Sequence, residues 1–269
     1  MKLSVAIAGA EALPSAFVVF RGLEKSIVRA AELGYDGVEL ALMRPDEIGK
    51  SDLRTLLERN RMEVSAVSSG QVFAARGLSF TDEDTERRKE LDKTFKGFID
   101  LAADFGRLVN IGRVRGSLKG RDKAFCEQLF FDMAGELCAY AARKGVELIL
   151  EPVNRYEIDF INNCDEGAAL LDKAGIPNLT MMPDVFHMNI EDDRIGDSLR
   201  RNARYVRYIH LADSNRHAPG DGHLDFTDVF NALDDIGYNG WATVEILPYP
   251  EPDIAAQRAV SYLRKFICA

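Results

Sequence analysis

Four apolar segments of this chain each carry, at or near their end, a side chain that can bind a metal ion. The segments are LILE, MMPD, YIHL and TVEI, and their ligand-type residues are Glu151, Asp184, His210 and Glu245. Two glutamates, an aspartate and a histidine form a donor set dominated by oxygen, which suits Mn²⁺ or Mg²⁺, with Co²⁺ as a further candidate. A structural zinc site would require more cysteine and histidine. The pattern therefore predicts one divalent cation bound by these four residues.

Each of the four residues has an ordinary explanation when it is taken alone. A glutamate at a strand end is often an ion-pair partner, and a histidine in an apolar run is often a hydrogen-bonded core residue. Consecutive members of the set, however, are separated by about one predicted strand and one predicted helix. Ligand-type residues at equivalent positions of four successive strands favour a shared site.

Short β-branched apolar segments alternate with longer amphipathic stretches along the whole chain. The predicted strands are 3–9, 35–41, 63–67, 108–112, 146–152, 179–184, 206–213 and 241–247. The predicted helices are 23–33, 50–59, 82–104, 123–144, 165–174, 196–202, 226–235 and 253–266. Continuous apolar strands separated by helices indicate a parallel sheet covered by helices. Eight such units in about 250 residues is the number found in a (β/α)8 TIM barrel.

An open, doubly wound sheet is the alternative architecture. It usually carries a glycine-rich phosphate-binding turn after its first strand, whereas AGAEALPS follows the first strand here. In a TIM barrel the chemistry lies at the carboxyl ends of the strands, which is where the four candidate ligands fall. We therefore predict an α/β fold that forms a single TIM-barrel domain over residues 1–269.

Composition and charge exclude several classes of partner. The chain has 269 residues and a net charge of −9, which argues against binding to nucleic acid or to an anionic membrane surface. No apolar run approaches the roughly 20 residues of a membrane span, and residues 3–9 favour a strand over a cleaved signal. The cysteines, Cys126, Cys138, Cys164 and Cys268, form no CxxC pair. Reduced thiols and a cytoplasmic location are expected.

Longer strings around the candidate ligands resemble one enzyme family. EPVNR (151–155), PDVFHMNIE (183–191), HLADSNR (210–216) and VEILP (244–248) are similar to the sugar isomerase/epimerase family with a xylose-isomerase-like barrel. Within it they most resemble the ketose 3-epimerases of the D-tagatose and D-psicose group. The string EPVNRYEIDFINN also resembles an enzyme that epimerises 5-keto-L-gluconate. The similarity is dense over about residues 146–250 and holds only in outline in the N-terminal half.

The resemblance implies a ligand set and a reaction. Glu151, Asp184, His210 and Glu245 would hold one divalent ion, usually Mn²⁺, and the two glutamates would also act as an acid/base pair on opposite faces of the sugar. Inversion of a carbon next to a carbonyl removes a proton from one face and delivers one to the other, so it needs two carboxylates, while the metal stabilises the enediolate. We therefore expect an epimerase that acts on a ketose or a keto-sugar acid.

The resemblance further implies substrate contacts for His187, Arg216 and Glu157. A departure from the neutral-ketose pattern is the basic segment IGRVRGSLKGRDK at 111–123. Because arginine forms a two-pronged donor suited to carboxylate or phosphate, Arg113 or Arg115 could bind an acidic end of the substrate. A solvated loop whose charges cap the next helix explains the segment equally well.

Other functions remain open on the same barrel. Aldose–ketose isomerisation and inosose dehydration begin with the same proton abstraction, and a non-enzymatic sugar-binding protein would be expected to have lost a ligand. An apurinic endonuclease, which DVFH and HLADS also resemble, holds three zinc ions and needs several more histidines than the four present, all at position 187 or later. A homo-oligomer is compatible with the sequence.

Overall fold

The computed structural model describes residues 1–267 and contains the predicted alternation of strands and helices. Its strands are β1 Lys2–Ala8, β2 Phe20–Arg21, β3 Gly37–Ala41, β4 Glu63–Ser68, β5 Leu108–Ile111, β6 Glu147–Leu150, β7 Leu179–Met181, β8 Ile209–Leu211 and β9 Trp241–Val244. Its α-helices are α1 Leu23–Leu33, α2 Lys50–Asn60, α3 Gly70–Arg76, α4 Thr85–Ala102, α5 Lys123–Ala142, α6 Cys164–Ala174, α7 Val185–Glu191, α8 Ile195–Arg201, α9 Phe226–Asp235 and α10 Pro252–Ile267.

The strands form a closed parallel barrel. Eight of them pair in the order β7-β6-β5-β4-β3-β1-β9-β8, and the short β2 lies beside β1 off this path. Parallel bridges between Met181 and Val206 and between Asp184 and His210 join β7 to β8 and complete the ring. The predicted (β/α)8 fold is confirmed, and the four strands β6 to β9 lie side by side on one arc of the wall.

Burial explains why these segments form these elements. All five residues of β3 are buried, as expected for a strand covered on both faces. On α1 the buried residues include Leu23, Ile27 and Ala30, which share one helical face at three- and four-residue spacing. Gly34 ends that helix with φ +89, a left-handed conformation that glycine adopts without steric cost. The helices therefore pack their apolar faces onto the barrel wall.

Two short helices were not predicted, and one of them matters for the site. Helix α7 begins directly after Asp184, whose carboxylate accepts a hydrogen bond from the Phe186 amide at 2.9 Å. An aspartate in this position is a strong helix N-cap. Because the cap forms, His187 lies in the first turn of α7 rather than in a loop. Helix α3 is equally short, and neither segment is long enough to show clear helical periodicity in the sequence.

The remaining sequence expectations concern thiols and membranes. Cys126, Cys138 and Cys164 are buried and free of disulfides, whereas Cys268 lies outside the described residues. Burial raises the pKa of the Cys138 thiol to about 12, so this thiol stays protonated at neutral pH. Within residues 1–267, no helix has the length and apolar character required to span a membrane.

Candidate metal centre

The four predicted ligands meet at the carboxyl ends of neighbouring strands. Glu151 follows β6, Asp184 follows β7, His210 lies in β8 and Glu245 follows β9. One donor atom of each lies within 4.8 Å of the others. The Nδ1 atom of His210 is 3.6 Å from Glu151 Oε1, 3.7 Å from Asp184 Oδ2 and 3.5 Å from Glu245 Oε2. Three carboxylates converging on one imidazole nitrogen form an arrangement that could hold one ion.

The orientation of His210 fits a metal ligand. Its Nε2 atom lies 2.8 Å from Glu39 Oε2, whereas its buried Nδ1 atom has no hydrogen-bond partner in the described structure. Burial would lower the pKa of His210, but Glu39 and the carboxylates of Asp184 and Glu151 raise it well above its ordinary value. A nitrogen without a partner, facing three carboxylates, satisfies the donor geometry that a divalent cation requires.

Glu39 was missed by the sequence analysis. It is fully buried in β3, whose remaining residues are apolar or glycine. A charged residue inside a strand whose other side chains are apolar was the available signal, because a buried carboxylate requires a partner. Its partner, His210, lies far away in the sequence, so the pairing could not be found without the fold.

Glu151 is held by contacts on both of its oxygens. Oε2 accepts a hydrogen bond from Asn110 Nδ2 at 3.1 Å, while Oε1 faces His210. Burial raises the pKa of Glu151, but His210 and His187 outweigh this effect, so its pKa lies below the ordinary value. A Cβ atom at Gly112 would lie 2.8 Å from Glu151 Oε2, so the glycine leaves room for this carboxylate.

Arg216 covers the cluster. Its Nη1 donates to Asp184 Oδ2 at 2.7 Å, and its Nη2 donates to Glu245 Oε2. The guanidinium lies between the rings of Phe17 and Phe186, each centred 4.7 Å away. This stacking fixes the plane of the guanidinium and shields it from water. The structure thus brings Arg216 to the predicted site.

A buried aspartate organises the loop that presents Arg216. The Asp213 carboxylate accepts hydrogen bonds from the backbone amides of Ser214, Gly220 and Leu224. Arg216 itself has φ +62, a left-handed conformation that costs a non-glycine residue about 1–2 kcal/mol. Such strain persists where the surrounding contacts over-determine the backbone, as they do in this loop.

His187 also reaches the cluster. It is 3% exposed, and its Nδ1 accepts a hydrogen bond from Asn154 Nδ2 at 2.7 Å. The Nε2 atom therefore carries the proton in the neutral ring and lies 3.8 Å from Asp184 Oδ2 and 4.0 Å from Glu151 Oε1. Burial lowers the pKa of His187 below its ordinary value, although Asp184 opposes the shift. Asn154 was not singled out from the sequence.

Glu157 and Arg113 form the outer wall of the same pocket. Arg113 Nη1 lies 3.6 Å from Glu157 Oε2, and Glu157 Oε1 accepts a hydrogen bond from Asn154 at 3.3 Å. The polar pocket lining contains six ionisable residues: Arg113, Glu151, Glu157, His187, Arg216 and Glu245. The pocket therefore brings together donors and acceptors suited to a polyhydroxylated molecule.

Arg115, the other arginine considered for an acidic end of the substrate, is not among the residues that line this pocket. Its side chain is fully buried and donates to the backbone carbonyls of Phe160 at 2.7 Å, Ile161 at 2.7 Å and Gly112 at 3.1 Å. Burial lowers its pKa to about 10, although Glu151 opposes the shift. Because its donors are already paired with carbonyls, Arg115 supports the loop rather than binding substrate.

Arg121 also has a structural role in the basic segment. Arg121 donates to the carbonyls of Thr81, Ser117 and Leu118 and pairs with Glu83. Lys119 donates through its amide to Asp159. Of the five basic residues between 111 and 123, Arg113 is the one that lines the pocket. From this segment, the pocket therefore receives one arginine, which lies beside Glu157.

Comparisons with known proteins agree with this architecture. Residues 27–266 match a family described as the xylose isomerase-like TIM barrel. An L-ribulose 3-epimerase from Methylomonas sp. is 33% identical over 227 residues, covering 83% of this chain and 78% of that protein. A 2-oxo-tetronate isomerase from Cupriavidus necator is 27% identical over 229 residues, covering 81% and 85%. A D-psicose 3-epimerase crystal structure obtained with D-fructose superposes with a TM-score of 0.84 at 22% identity and full coverage of both chains.

Proposed function

The chain belongs to the xylose isomerase-like TIM-barrel family, and we propose that this sugar epimerase inverts the carbon next to the carbonyl of a ketose or keto-sugar acid with the help of one divalent cation. The relatives named as ketose 3-epimerases support the class of reaction. Glu151, Asp184, His210 and Glu245 would hold the cation, with Mn²⁺ as the favoured metal and Mg²⁺ or Co²⁺ as alternatives.

One observation carries the proposal. Glu151 and Glu245 follow β6 and β9, the two ends of a four-strand arc, with Asp184 and His210 between them. Both glutamates line the pocket, and from the two ends of the arc they would approach a bound molecule from different sides. Two carboxylates in this arrangement match the requirement of an inversion, in which a proton leaves one face and arrives on the other.

The reaction is a balanced exchange of protons. One glutamate accepts the proton from the carbon next to the carbonyl, and the electron pair of the C–H bond moves onto the substrate oxygens. The other glutamate then donates its proton to the opposite face of the same carbon. When bound, a divalent cation polarises the carbonyl and stabilises this negative charge. The two glutamates exchange roles when the reaction runs backwards.

Four further residues would orient the substrate. His187 Nε2–H and the Arg216 guanidinium face the carboxylate cluster, so they can donate to substrate oxygens near the reacting carbon. Glu157 and Arg113 lie on the outer wall and would contact the distal end. Burial keeps His187 neutral at neutral pH by lowering its pKa, which suits a hydrogen-bond donor rather than a charged group.

Aldose–ketose isomerisation is the second candidate. The match to a 2-oxo-tetronate isomerase over 81% of the chain favours it, since both reactions begin with the same proton abstraction. An inosose dehydratase would share that first step. An apurinic endonuclease would need ligands for three zinc ions, whereas the described residues contain one group of four side chains that could hold a metal ion. Cytoplasmic location and homo-oligomer formation stay predictions.

Turnover in D₂O distinguishes these outcomes. The protein is stripped of metal with EDTA, reloaded with Mn²⁺ and incubated with a panel of ketoses, keto-sugar acids and inososes. Deuterium at C3 of an inverted product supports epimerisation. Deuterium at another carbon assigns an isomerase, and loss of water assigns a dehydratase. Activity that survives complete removal of metal contradicts the proposal.

A further inference from the structure

Glu39 is a buried carboxylate in a strand whose other residues are apolar or glycine. It is 0% exposed, and the four other residues of β3 are a glycine and three apolar residues, all buried. Its Oε1 atom is buried without a hydrogen-bond partner in the described structure. Burying a carboxylate is unfavourable unless a partner offsets the lost hydration. The partner present is the imidazole of His210.

The contact between them is directional. Glu39 Oε2 lies 2.8 Å from His210 Nε2, and the Nδ1 atom on the other side of the ring faces three carboxylates at 3.5–3.7 Å. A carboxylate accepts a hydrogen bond and cannot donate one when ionised. Nε2 must therefore carry a proton, which leaves the lone pair of the neutral ring on Nδ1, facing the cluster.

A second contact restricts rotation of the ring. Tyr208 packs edge-on against His210, with ring centroids 5.7 Å apart and planes inclined at 67°. The Tyr208 hydroxyl is held by Ser65 and Thr243, each at 2.6 Å. All of these groups are buried, so the ring cannot turn over to exchange its two nitrogens without disrupting the interior of the barrel.

We propose that Glu39 is a positioning residue that fixes the tautomer and direction of His210 and thereby strengthens divalent-cation binding. The inference rests on the metal site of the proposed function but not on the identity of the reaction. Hydrogen-bond partners of metal-bound histidines in other proteins change metal affinity by about 10–100-fold when removed. Glu39 performs this role from the neighbouring arc of the wall, outside the four-ligand set.

Calorimetric titration of the metal-free full-length chain with MnCl₂ tests the proposal. Glu39→Gln keeps the volume of the side chain but removes its charge, and its amide can donate to Nε2 and force the wrong tautomer. We expect the Kd for Mn²⁺ to rise about 10–100-fold. The matched control is Glu63→Gln on the adjacent strand β4, a half-exposed partner of Lys2, for which the Kd should stay within twofold of wild type.

A second variant and a spectroscopic measurement distinguish a specific effect on His210 from misfolding. Glu39→Asp keeps the charge but withdraws the carboxylate by one methylene group, so it should weaken Mn²⁺ binding less than Glu39→Gln does. Nitrogen chemical shifts of ¹⁵N-histidine-labelled, Mg²⁺-loaded protein report the tautomer. His187 and His210 should both carry a proton on Nε2 in the wild type, and of these two rings only His210 should lose this signature in Glu39→Gln. A folded Glu39→Gln or Glu39→Asp with wild-type Kd and tautomer overturns the inference.

The two proposals fail separately. If the wild type binds Mn²⁺ in a Glu39-dependent manner but converts no sugar in the panel, the proposed function is wrong and the role of Glu39 stands. If the wild type inverts a ketose and the Glu39 variants bind Mn²⁺ with unchanged Kd, the role of Glu39 is wrong and the proposed function stands.

Discussion

The strand ends from β6 to β9 and the loop at 111–123 are both rich in charge, yet they use it differently. At the strand ends, Glu151, Asp184, His210 and Glu245 converge on one point. In the loop, five basic residues occupy a short stretch of sequence, but their side chains diverge, and Arg113 alone among them lines the pocket. The strand-end residues are thus distant in sequence but close in space, whereas the loop residues are close in sequence but have different surroundings.

The difference follows from the backbone that carries each set. A strand fixes the direction and height of its side chains, and parallel neighbours in a barrel place equivalent positions side by side. A loop gives no such constraint. Arg113 and Arg115 are the two ends of a single 3₁₀ turn, and their side chains have different surroundings, one in the pocket and the other among backbone carbonyls.

The largest expected effect is at the strand ends. Glu151→Gln or Glu245→Gln removes both a proton carrier and a metal ligand, so kcat should fall at least about 10³-fold. The control is Glu147→Gln, which lies at the other end of β6 and pairs with Arg207 at 2.9 Å. Steady-state kinetics with Mn²⁺ should give this variant a kcat within twofold of wild type. Comparable losses of kcat in all three variants would contradict the assignment of catalysis to the carboxyl ends of the strands.

The next effect concerns Arg115. Arg115→Met leaves the carbonyls of Phe160, Ile161 and Gly112 without their donor, and we expect a loss of about 3 kcal/mol in the free energy of unfolding. Urea denaturation measures it. Arg113→Met serves as the matched variant and should lose less than about 1 kcal/mol. An Arg115→Met protein with wild-type stability and a raised KM would indicate that Arg115 binds substrate instead.

Arg113 should instead affect substrate binding. Its guanidinium lines the pocket beside Glu157, so Arg113→Met should raise KM about tenfold while kcat changes little, because the residue lies away from the reacting carbon. Comparing keto-sugar acids with neutral ketoses sharpens the result. A KM increase confined to the acids indicates a carboxylate-binding arginine, and an equal increase indicates hydroxyl binding. An unchanged KM for every substrate would place Arg113 with the structural arginines.

The smallest expected effect is a change of stability with pH at Asp159, whose carboxylate accepts hydrogen bonds from the loop at 111–123. Burial raises the pKa of Asp159, but hydrogen bonds from the Ser117 hydroxyl and from the amides of Leu118 and Lys119 outweigh it and lower the pKa below its ordinary value. The ionised Asp159 carboxylate therefore makes its full contribution to the stability of the fold above about pH 4. It is lost as the pH falls through the folded-state pKa.

The Asp159→Asn variant tests whether the ionised carboxylate stabilises the folded protein. The variant should lose about 0.5 kcal/mol at pH 7, since the group is exposed and its interactions are screened, and the difference from wild type should shrink at pH 3. Urea midpoints at the two pH values provide the comparison. A difference that grows at low pH would mean that the charge of Asp159 opposes folding.

Much of the fold could be predicted because strand and helix periodicity is local. The predicted strand 35–41 and the observed β3 differ by two residues, and helices 23–33 and 226–235 have the predicted bounds. The four candidate ligands could be found for the same reason, since each lies at or near the end of an apolar run. Their metal-binding and catalytic roles stay proposals.

The parts that could not be predicted depend on contacts between distant segments. The pairing of Glu39 with His210 joins opposite halves of the chain, and the burial of Arg115 depends on where the carbonyls of Phe160 and Ile161 point. These two contacts have no periodic signature, because each arises from the closed barrel rather than from the local sequence. Helix α7 was missed for a different reason: its Asp184 cap is local, but the helix is too short to show periodicity.

Anomalous diffraction from crystals grown with MnCl₂, collected at the manganese edge, tests whether the four side chains bind one divalent cation. We expect one peak per chain within coordination distance, about 2.0–2.6 Å, of Glu151, Asp184, Glu245 and His210 Nδ1, with His210 Nε2 still hydrogen-bonded to Glu39. Three peaks in one chain, or no peak between these four side chains at saturating Mn²⁺, would contradict it.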